Sequence, residues 1–463
     1  MTEQRIQDLL KNIKTVKAGV YGDFCLDAYW ILDPSGSEES VETGVQAEAV
    51  ERHYYSPGGA SNVTANMAAL FPERIQAIGS IGDDIYGREL RRLLTEIDVD
   101  SSCLVIQEGQ FDTLAFCKSY VDLHEKLRVD FGTGNARTTE TEDKLLIGLG
   151  KALDECDIVI FNQQVPGTLA NLGFITGANK LFEKYSGTTV ILDSRHYGGQ
   201  FQGVGRKVNE VEAALLCGAD AKPRDIMDKD AVIGFGQQLF DRSGRPVFIT
   251  RGAKGILSFD VDGCTEIPGI QTDGELDTVG AGDTTLSMIA LSLGAGASAA
   301  EAAGLANIAA SVTVQKLRRT GTANGDEILN LYRDVRYIHQ PELAAHTGSA
   351  KYLAGGNIEI CAAPEKGAVK YALFDHDGTI STLRAGWEEV MVPMMTNAIL
   401  GSKSHPESTV ERVRNEVISY IDSSTGIQTI LQMETLCRMV EEAGLAPKDE
   451  ILTSLEYKAI YNN

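Results

Sequence analysis

Basic residues are scarce in this sequence of 463 residues: 42 lysines and arginines stand against 65 aspartates and glutamates, which gives a net charge of −23. No basic run offsets this excess of negative charge. Because a surface of this kind repels polyanions, we expect no nucleic-acid partner and no anionic membrane partner.

Paired cysteines and long apolar runs are missing as well. The eight cysteines are scattered without a C-x-x-C pair, which argues against a disulfide or zinc framework and favours reduced thiols in the cytoplasm. Residues 1–17 are charged and lack the apolar core of a signal peptide. The most apolar stretch, residues 284–310, is interrupted by Gly294, Gly296 and Glu301, so it predicts two buried helices around a turn rather than a membrane span.

The sequence does contain short apolar runs that alternate with helix-periodic segments. Hydrophobic residues make up 43% of the chain, and its length suits two domains. The alternation predicts an α/β fold whose mostly parallel sheet is covered by helices on both faces. Residues 29–56 and 111–131 interrupt it and predict strands outside the main sheet. The strands predicted for the main sheet are 18–21, 158–161, 189–192 and 246–249.

The most informative motif is DTVGAGD, residues 277–283. Gly280, Ala281 and Gly282 carry almost no side chain, so their backbone N–H groups can converge on an anion at the positive end of the following helix. A carboxylate beside an anion is explained if Asp283 accepts the proton of an attacking hydroxyl group. The motif therefore predicts phosphoryl transfer. The alternative is a glycine-rich turn with Asp283 as an N-terminal helix residue.

This motif resembles the second signature of the ribokinase-like (PfkB) carbohydrate kinases. Residues 58–62, GGASN, are similar to the family's first signature, where paired glycines hinge a lid and the asparagine binds sugar hydroxyls. The resemblance covers about residues 15–335. It implies a ribokinase-like fold with a small β lid, a homodimer formed through that lid, and Asp283 as the base. The sugar contacts that it implies are Asp27, Gly58, Gly59 and Asn62.

Two further segments resemble parts of the same family. Residues 209–212, NEVE, are similar to its Asn-x-x-Glu magnesium motif, and residues 250–255, TRGAKG, to its nucleotide loop. The resemblance implies ATP and Mg²⁺ as cofactors, with Glu212 acting on magnesium through water. The implied nucleotide contacts are Asn209, Glu212, Thr250, Gly252, Gly255 and Asn307.

Residues near the lid indicate the acceptor. Segments 22–29, 118–130 and 193–195 look more like the heptose-7-phosphate kinase branch than like ribokinase or adenosine kinase. Lysine and arginine suit phosphate oxygens, although a single such cation is more often a solvated surface residue. The cations expected to hold an acidic group of the substrate are Lys118, Arg128 and Arg195.

The character of the chain changes after residue 340. Residues 341–368 are rich in small and turn-forming residues and predict a linker. Asp375 and Asp377 then follow an apolar run, which resembles motif I of the haloacid-dehalogenase phosphatases and implies a magnesium site; an ordinary acidic turn is the alternative. The rest of residues 369–463 is helix-periodic, like a cap. Because the family's later motifs do not follow, we expect an incomplete domain with little or no phosphatase activity.

The sequence thus predicts an ATP-dependent kinase of a sugar or sugar phosphate in residues 1–340. A different interpretation is a catalytically silent kinase fold that serves as a ligand-binding or regulatory platform for the second domain. Asp283 favours catalysis, because a binding module would not need a base.

Overall fold

The computed structural model describes residues 1–122, 124–165, 171–223, 225, 227–272, 276–317, 321–338, 351–352, 359–360, 371–374, 387–424 and 428–462. The chain divides into two compact units, residues 1–363 and residues 364–463.

The strands of the described residues are, in chain order, β1 (Lys17–Gly22), β2 (Phe24–Glu39), β3 (Gln46–Gly59), β4 (Arg74–Gly82), β5 (Val99–Gln107), β6 (Leu114–Val121), β7 (His124–Phe131), β8 (Ile158–Gln163), β9 (Thr189–Ser194), β10 (Gly205–Asn209), β11 (Val247–Thr250), β12 (Gly255–Asp260), β13 (Gly263–Ile270), β14 (Tyr337–Ile338), β15 (Lys351–Tyr352) and β16 (Glu359–Ile360). The helices are α1 (Glu3–Ile13), α2 (Ala60–Ala68), α3 (Ile85–Glu96), α4 (Thr139–Glu155), α5 (Leu172–Lys184), α6 (Glu210–Leu216), α7 (Lys229–Ser243), α8 (Ala281–Gly294), α9 (Ala299–Thr313), α10 (Gly325–Arg333), α11 (Trp387–Leu400), α12 (Glu407–Ser423), α13 (Thr429–Ala443) and α14 (Ser454–Asn462).

The first unit is built on a ten-stranded sheet with the order β14-β13-β12-β11-β10-β9-β8-β1-β4-β5. The pairs from β5 to β11 are parallel, and β12, β13 and β14 add an antiparallel edge. The mostly parallel sheet predicted from the alternating pattern is confirmed, and each of the four predicted main-sheet strands is present. Strand β8 is buried along its whole length. Strands that are buried on both faces have continuous apolar sequences, as the sequence of β8 does over residues 158–161.

Helices cover both faces of this sheet because neighbouring strand residues point in opposite directions. Val20 and Ile160 pack against α1, α2, α8 and α9 in one core. Their neighbours Tyr21 and Phe161 pack against α4 and α5 in another core. Each such large side chain contributes about 1.5–3 kcal/mol when fully buried. The two apolar helices predicted for residues 284–310 are α8 and α9, and both are largely buried.

A separate four-stranded sheet, which we call the lid sheet, has the order β3-β2-β6-β7. Its β2–β3 and β6–β7 pairs are antiparallel hairpins, and β2 pairs with β6 in parallel. This confirms the strands outside the main sheet that residues 29–56 and 111–131 predict. Within the part of the chain that the structure describes, no helix is long and apolar enough to cross a membrane.

The second unit is helical where the structure describes it. Helices α11 to α14 pack around a core that includes Met395, Val417, Leu436 and Val440. The prediction of a strand directly before Asp375 is wrong for residues 371–374. These residues form no regular structure, and Leu373 is 100% exposed. The described residues of the second unit include no strand with which this segment could pair. Asp375 and Asp377 lie outside the described residues.

Candidate active site

A cleft of about 680 Å³ lies where the parallel strands of the main sheet end. Asp193, Asn209 and Thr250 follow or close β9, β10 and β11 and line this cleft, and Gln164 follows β8. Residues of the lid sheet supply another wall. Ligands of open α/β sheets bind beyond the carboxyl ends of the strands, so this cleft has the position of an active site.

The DTVGAGD turn forms part of the cleft wall. Gly280 has a φ of +84°, in the left-handed region that favours glycine, and it is the N-cap of α8. Helix α8 begins at Ala281, so the N–H groups of this turn lie at a helix N-terminus, where anions are stabilised. Gly280 and Gly282 line the cleft. The Ala281 N–H donates to the Thr278 oxygen at 3.3 Å, so the convergence of all three N–H groups on an anion stays a prediction.

Asp283 lies in the first turn of α8 and also lines the cleft. The surroundings of this carboxyl raise its pKa from 3.8 to about 6. Burial is the largest cause and the charge of Asp193 adds to it, whereas a hydrogen bond from Asn62 and the charges of Lys207 and Arg195 oppose the shift. A carboxyl group with a pKa just below neutral is ionised at pH 7 yet basic enough to accept a proton.

A chain of hydrogen bonds joins Asp283 to helix α2. Asn62 donates from Nδ2 to Asp283 Oδ2 at 2.7 Å. Asn66 donates to the backbone oxygen of Asn62 at 2.9 Å and to its Oδ1 at 3.2 Å. Thr284 in turn donates to Asn66 Oδ1 at 2.7 Å. The Asn62 oxygen is thereby held toward Asn66, which directs its N–H₂ toward the carboxylate.

The two glycines before α2 are required by close contacts. Gly59 has a φ of +52°, and a Cβ there would lie 2.6 Å from the backbone oxygen of Asp23. A Cβ at Gly58 would lie 3.2 Å from the carboxyl group of Asp27. The chain therefore passes close beside Asp27, which lines the cleft together with both glycines.

Asp27 is paired with a cation of the lid sheet. Lys118 Nζ lies 3.3 Å from Asp27 Oδ2 and 5.1 Å from the ring centroid of Tyr29. Burial raises the pKa of Asp27, although Lys118 opposes the shift. Lys118 is thus engaged with a carboxylate, and its predicted contact with an acidic group of the substrate stays a prediction.

The other two predicted cations, Arg128 and Arg195, both line the cleft. The Arg128 guanidinium lies 4.4 Å from the Phe116 ring centroid, and its Nε donates to Asp130 at 2.6 Å. Arg195 follows β9 directly. Five carboxylates line the same cleft and Arg128 is paired with one of them, so the contact of these arginines with an acidic group of the substrate stays a prediction.

The segment that resembles a magnesium motif also caps a helix. Asn209 Oδ1 accepts from the Glu212 backbone N–H, and Glu212 Oε2 accepts from the Asn209 backbone N–H, both at 2.8 Å. Both residues line the cleft, and burial raises the pKa of Glu212. Among the described residues, no three His, Cys, Asp or Glu side chains are grouped as a metal site.

Residues 20–194 and 205–324 match the model of the pfkB family of carbohydrate kinases. The chain belongs to this family. The matched residues make up more than half of the chain and include both glycine motifs, Asn62 and Asp283.

Curated relatives carry the name Bifunctional protein HldE. The chain is 27% identical to the one from Paramagnetospirillum magneticum over 332 residues, which cover 71% of this chain and 66% of the relative. It is 29% identical to the one from Shewanella amazonensis over 331 residues, which cover 70% of this chain and 64% of the relative. The chain therefore spans less than two thirds of the length of these relatives.

Solved structures show the same fold. Phosphofructokinase-2 from Escherichia coli superposes with a TM-score of 0.56 at 20% identity, over 69% of this chain and 99% of that chain. A putative ribokinase from Agrobacterium tumefaciens superposes with a TM-score of 0.51 at 18% identity, over 69% of this chain and 98% of that chain. The ribokinase-like architecture is thereby confirmed.

Four predicted nucleotide contacts of this pfkB chain remain to be placed: Thr250, Gly252, Gly255 and Asn307. Thr250 lines the cleft at the end of β11. Gly252 and Gly255 have φ values of +58° and +96° in the turn after β11, and a Cβ at Gly255 would lie 2.0 Å from a backbone oxygen of β13. Asn307 donates from its amide to the backbone oxygen of Pro268 at 2.7 Å. The glycines therefore shape the turn, and Asn307 fixes α9 to β13.

Three charged residues of the pfkB cleft were not predicted as site residues from the sequence: Asp130, Asp193 and Lys207. Lys207 is the one whose position bears most on phosphoryl transfer. Its Nζ lies 2.9 Å from Asp193 Oδ2, and a Cβ built on Gly282 would lie 3.3 Å from this nitrogen. Burial lowers the pKa of Lys207, but Asp193 and the other nearby carboxylates outweigh that effect and the net pKa is raised. The signal that could have revealed it is a lysine inside the short central strand β10, where charge is costly without a partner.

Proposed function

We propose that this chain transfers the γ-phosphoryl group of ATP to a hydroxyl group of a phosphorylated sugar. The resemblance of its lid-proximal segments to the heptose-7-phosphate kinase branch supports a heptose 7-phosphate as the acceptor. The observation that carries the proposal is the position of Asp283, a half-buried carboxyl with a pKa raised to about 6, directly after a glycine turn at a helix N-terminus.

The acceptor sugar would lie between Asp27, Gly59 and Asn62. Asn62 already holds Oδ2 of Asp283 at 2.7 Å, so Oδ1 is the oxygen that would accept the proton of the attacking hydroxyl. Removing this proton as the new O–P bond forms makes the hydroxyl a better nucleophile. A fixed carboxylate also holds that oxygen in line with the leaving group.

Charge on the transferred phosphoryl group would be stabilised from two sides. The N–H groups of Gly280 and Gly282 at the start of α8 would face one side. The ammonium group of Lys207, which is beside Gly282, would face the other. Its raised pKa keeps this lysine protonated at neutral pH. Phosphoryl transfer relies mainly on such positioned electrostatic groups.

ATP would extend from this point along Asn209, Glu212 and Thr250, with the turn at Gly252 and Gly255 beside it. The residues fit a magnesium ion that arrives on the nucleotide, because the half-buried carboxylate of Glu212 lines the cleft and only its Oε2 is engaged, by the Asn209 backbone N–H. Mg²⁺ usually keeps several waters and takes few protein ligands, so Glu212 would act through water. When bound, the ion neutralises charge on the phosphates.

The phosphate group of the acceptor would be held by Arg128 and Arg195, which share the cleft wall. Arginine presents paired donors that match phosphate oxygens. Lys118 would act through Asp27 by keeping that carboxylate in place. A phosphate on the acceptor would give Arg195, and Arg128 beside its partner Asp130, an anionic ligand in the cleft, which favours a sugar phosphate.

The lid sheet would also serve as a dimer interface. Its strands carry exposed apolar side chains, among them Val50 at 47% and Leu127 at 63% exposure. Exposed apolar surface of this kind is typical of protein contacts. A cytoplasmic homodimer is therefore part of the proposal.

A panel of acceptors tests the function. ATP consumption would be measured with heptose 7-phosphate, fructose 6-phosphate, ribose and adenosine at equal concentrations. We expect the phosphorylated sugars to react, with heptose 7-phosphate giving the highest kcat/KM. No ATP consumption with any sugar or sugar phosphate would instead support the silent regulatory platform.

A further inference from the structure

A second cavity, of about 430 Å³, lies beside β10 and shares no lining residue with the catalytic cleft. Arg206 and Lys207 are neighbours on β10, and neighbouring strand residues point to opposite faces of a sheet. Lys207 faces the catalytic cleft, whereas Arg206 contacts the loop of residues 198–204 and lines the second cavity. We call this second space the arginine cavity.

Arg206 carries a buried charge without a counter-ion. It is only 7% exposed, yet among the described residues no carboxylate lies within ion-pair distance of it. Its Nη1 donates to the Val204 oxygen at 3.1 Å, and its Nη2 donates to the Phe201 oxygen at 2.7 Å and the Gly198 oxygen at 3.5 Å. A guanidinium has five N–H donors, so these three bonds leave two unused, one of them on the buried Nε.

A second arginine increases the local positive charge. Arg242 is exposed at the mouth of the arginine cavity, where its Nη1 donates to the Leu216 oxygen at 2.9 Å. Burial lowers the pKa of Arg206, and the charge of Arg242 lowers it further. Two like charges beside one cavity are costly, and an anion between them would remove the cost.

We propose that the arginine cavity binds a phosphate group, either inorganic phosphate or the phosphate of a small metabolite. Arg206 would form the floor and Arg242 the mouth, and Ser243 lies on the wall between. Guanidinium groups match phosphate oxygens in geometry and charge. The cavity exceeds the volume of a bare phosphate, and Phe201 and Leu216 add apolar wall for the rest of a phosphomonoester.

The binding test uses the whole chain with Mg²⁺ and a non-hydrolysable ATP analogue, so that the nucleotide part of the catalytic cleft is filled. Phosphate bound beside Arg128 and Arg195 would not respond to a change at Arg242, which lines only the arginine cavity. Inorganic phosphate and glycerol 3-phosphate are each titrated by calorimetry. We expect Arg242→Ala to weaken binding about tenfold, the loss of one charge-assisted contact. The matched control is Arg245→Ala, because Arg245 binds the Ser186 oxygen instead of lining the cavity, and it should leave affinity unchanged.

Thermal unfolding separates binding from a purely structural role. Without phosphate, Arg242→Ala should change the Tm little, because it removes a charge that repels Arg206 and also a hydrogen bond to the Leu216 oxygen. With phosphate, the wild-type chain should gain more in Tm than the variant. Tighter binding of the ester identifies a metabolite phosphate, and tighter binding of the free ion identifies inorganic phosphate. Equal affinity of wild type and Arg242→Ala, or no binding of either ligand at millimolar concentration, would overturn the proposal.

Discussion

Asn62 donates a hydrogen bond of 2.7 Å to Asp283, which lies 221 positions later in the sequence. The bond joins the helix after the first glycine motif to the helix after the second. It ties the residue proposed to contact the sugar to the residue proposed as the base. The geometry of the proposed reaction therefore depends on how α2 packs against α8, and neither glycine motif is sufficient by itself.

The raised pKa of Asp283 predicts opposite effects on activity and stability. The folded chain holds this proton more tightly than the unfolded chain does, since the pKa rises from 3.8 to about 6. The ionised carboxylate therefore destabilises the fold above pH 6, and this cost shrinks as the pH falls below 6. Asp283→Asn should raise the free energy of unfolding at pH 8 by on the order of 1–3 kcal/mol.

Urea unfolding at pH 8 and at pH 5 measures this effect. The gain in the variant should be smaller at pH 5, and kcat/KM of the wild type should fall as the pH drops below about 6. If Asp283→Asn is less stable than the wild type at pH 8, the ionised carboxylate of Asp283 does not destabilise the fold.

Substitutions in the glycine turn should separate function from folding. A side chain at Gly282 would meet Lys207 Nζ at 3.3 Å, and this residue has no left-handed backbone. Gly282→Val should therefore cost activity more than stability. At Gly280, where φ is +84°, the same substitution should also destabilise the fold by about 1–2 kcal/mol. Activity and Tm are measured for both variants. If Gly282→Val loses stability and activity equally, the turn has a purely structural role.

Lys207 should stabilise the transition state. Lys207→Met is expected to lower kcat by about 10²–10³-fold, the size seen when one charge-stabilising donor is lost. Lys207→Arg should recover part of this loss, and Lys151→Met, a change of an exposed lysine on α4, should have no effect. Steady-state kinetics with the reactive acceptor decide the matter. A change in KM alone would assign Lys207 to ground-state binding.

Glu212 and Asp27 should differ in their response to magnesium. If Glu212 acts through the water shell of the ion, higher Mg²⁺ should partly restore the activity of Glu212→Gln. The activity of Asp27→Asn, which removes a proposed sugar contact, should not respond. Rates are measured across a magnesium series for both variants. The reverse pattern would contradict these two assignments.

Local sequence could predict the parts of the site that depend on local backbone. Gly280 and Gly59 are needed where they are because of their positive φ values, and the spacing from Gly280 to Asp283 fixes the carboxylate on the first turn of α8. Spacing could not reveal the hydrogen bond from Thr284 to Asn66 or the ion pair of Lys207 and Asp193, because these contacts depend on how separate strands and helices pack.

In the C-terminal segment the sequence pattern predicted a strand that the structure does not contain. Residues 371–374 are apolar and favour a strand by pattern, but a strand needs a neighbour with which to pair. Leu373 is exposed, and the described residues of the second unit include no strand. The helical pattern after residue 387 predicted its elements better, because a helix satisfies its own backbone hydrogen bonds.

The most direct test of the account is the turnover of Asp283→Asn on the reactive sugar phosphate, beside Asp262→Asn, which changes an exposed carboxylate between β12 and β13. The account predicts that Asp283→Asn binds ATP but loses several orders of magnitude in kcat, because it removes the group that accepts the proton. Asp262→Asn should match the wild type. Near-normal kcat in Asp283→Asn, measured in the same assay, would contradict the claim that Asp283 is the catalytic base.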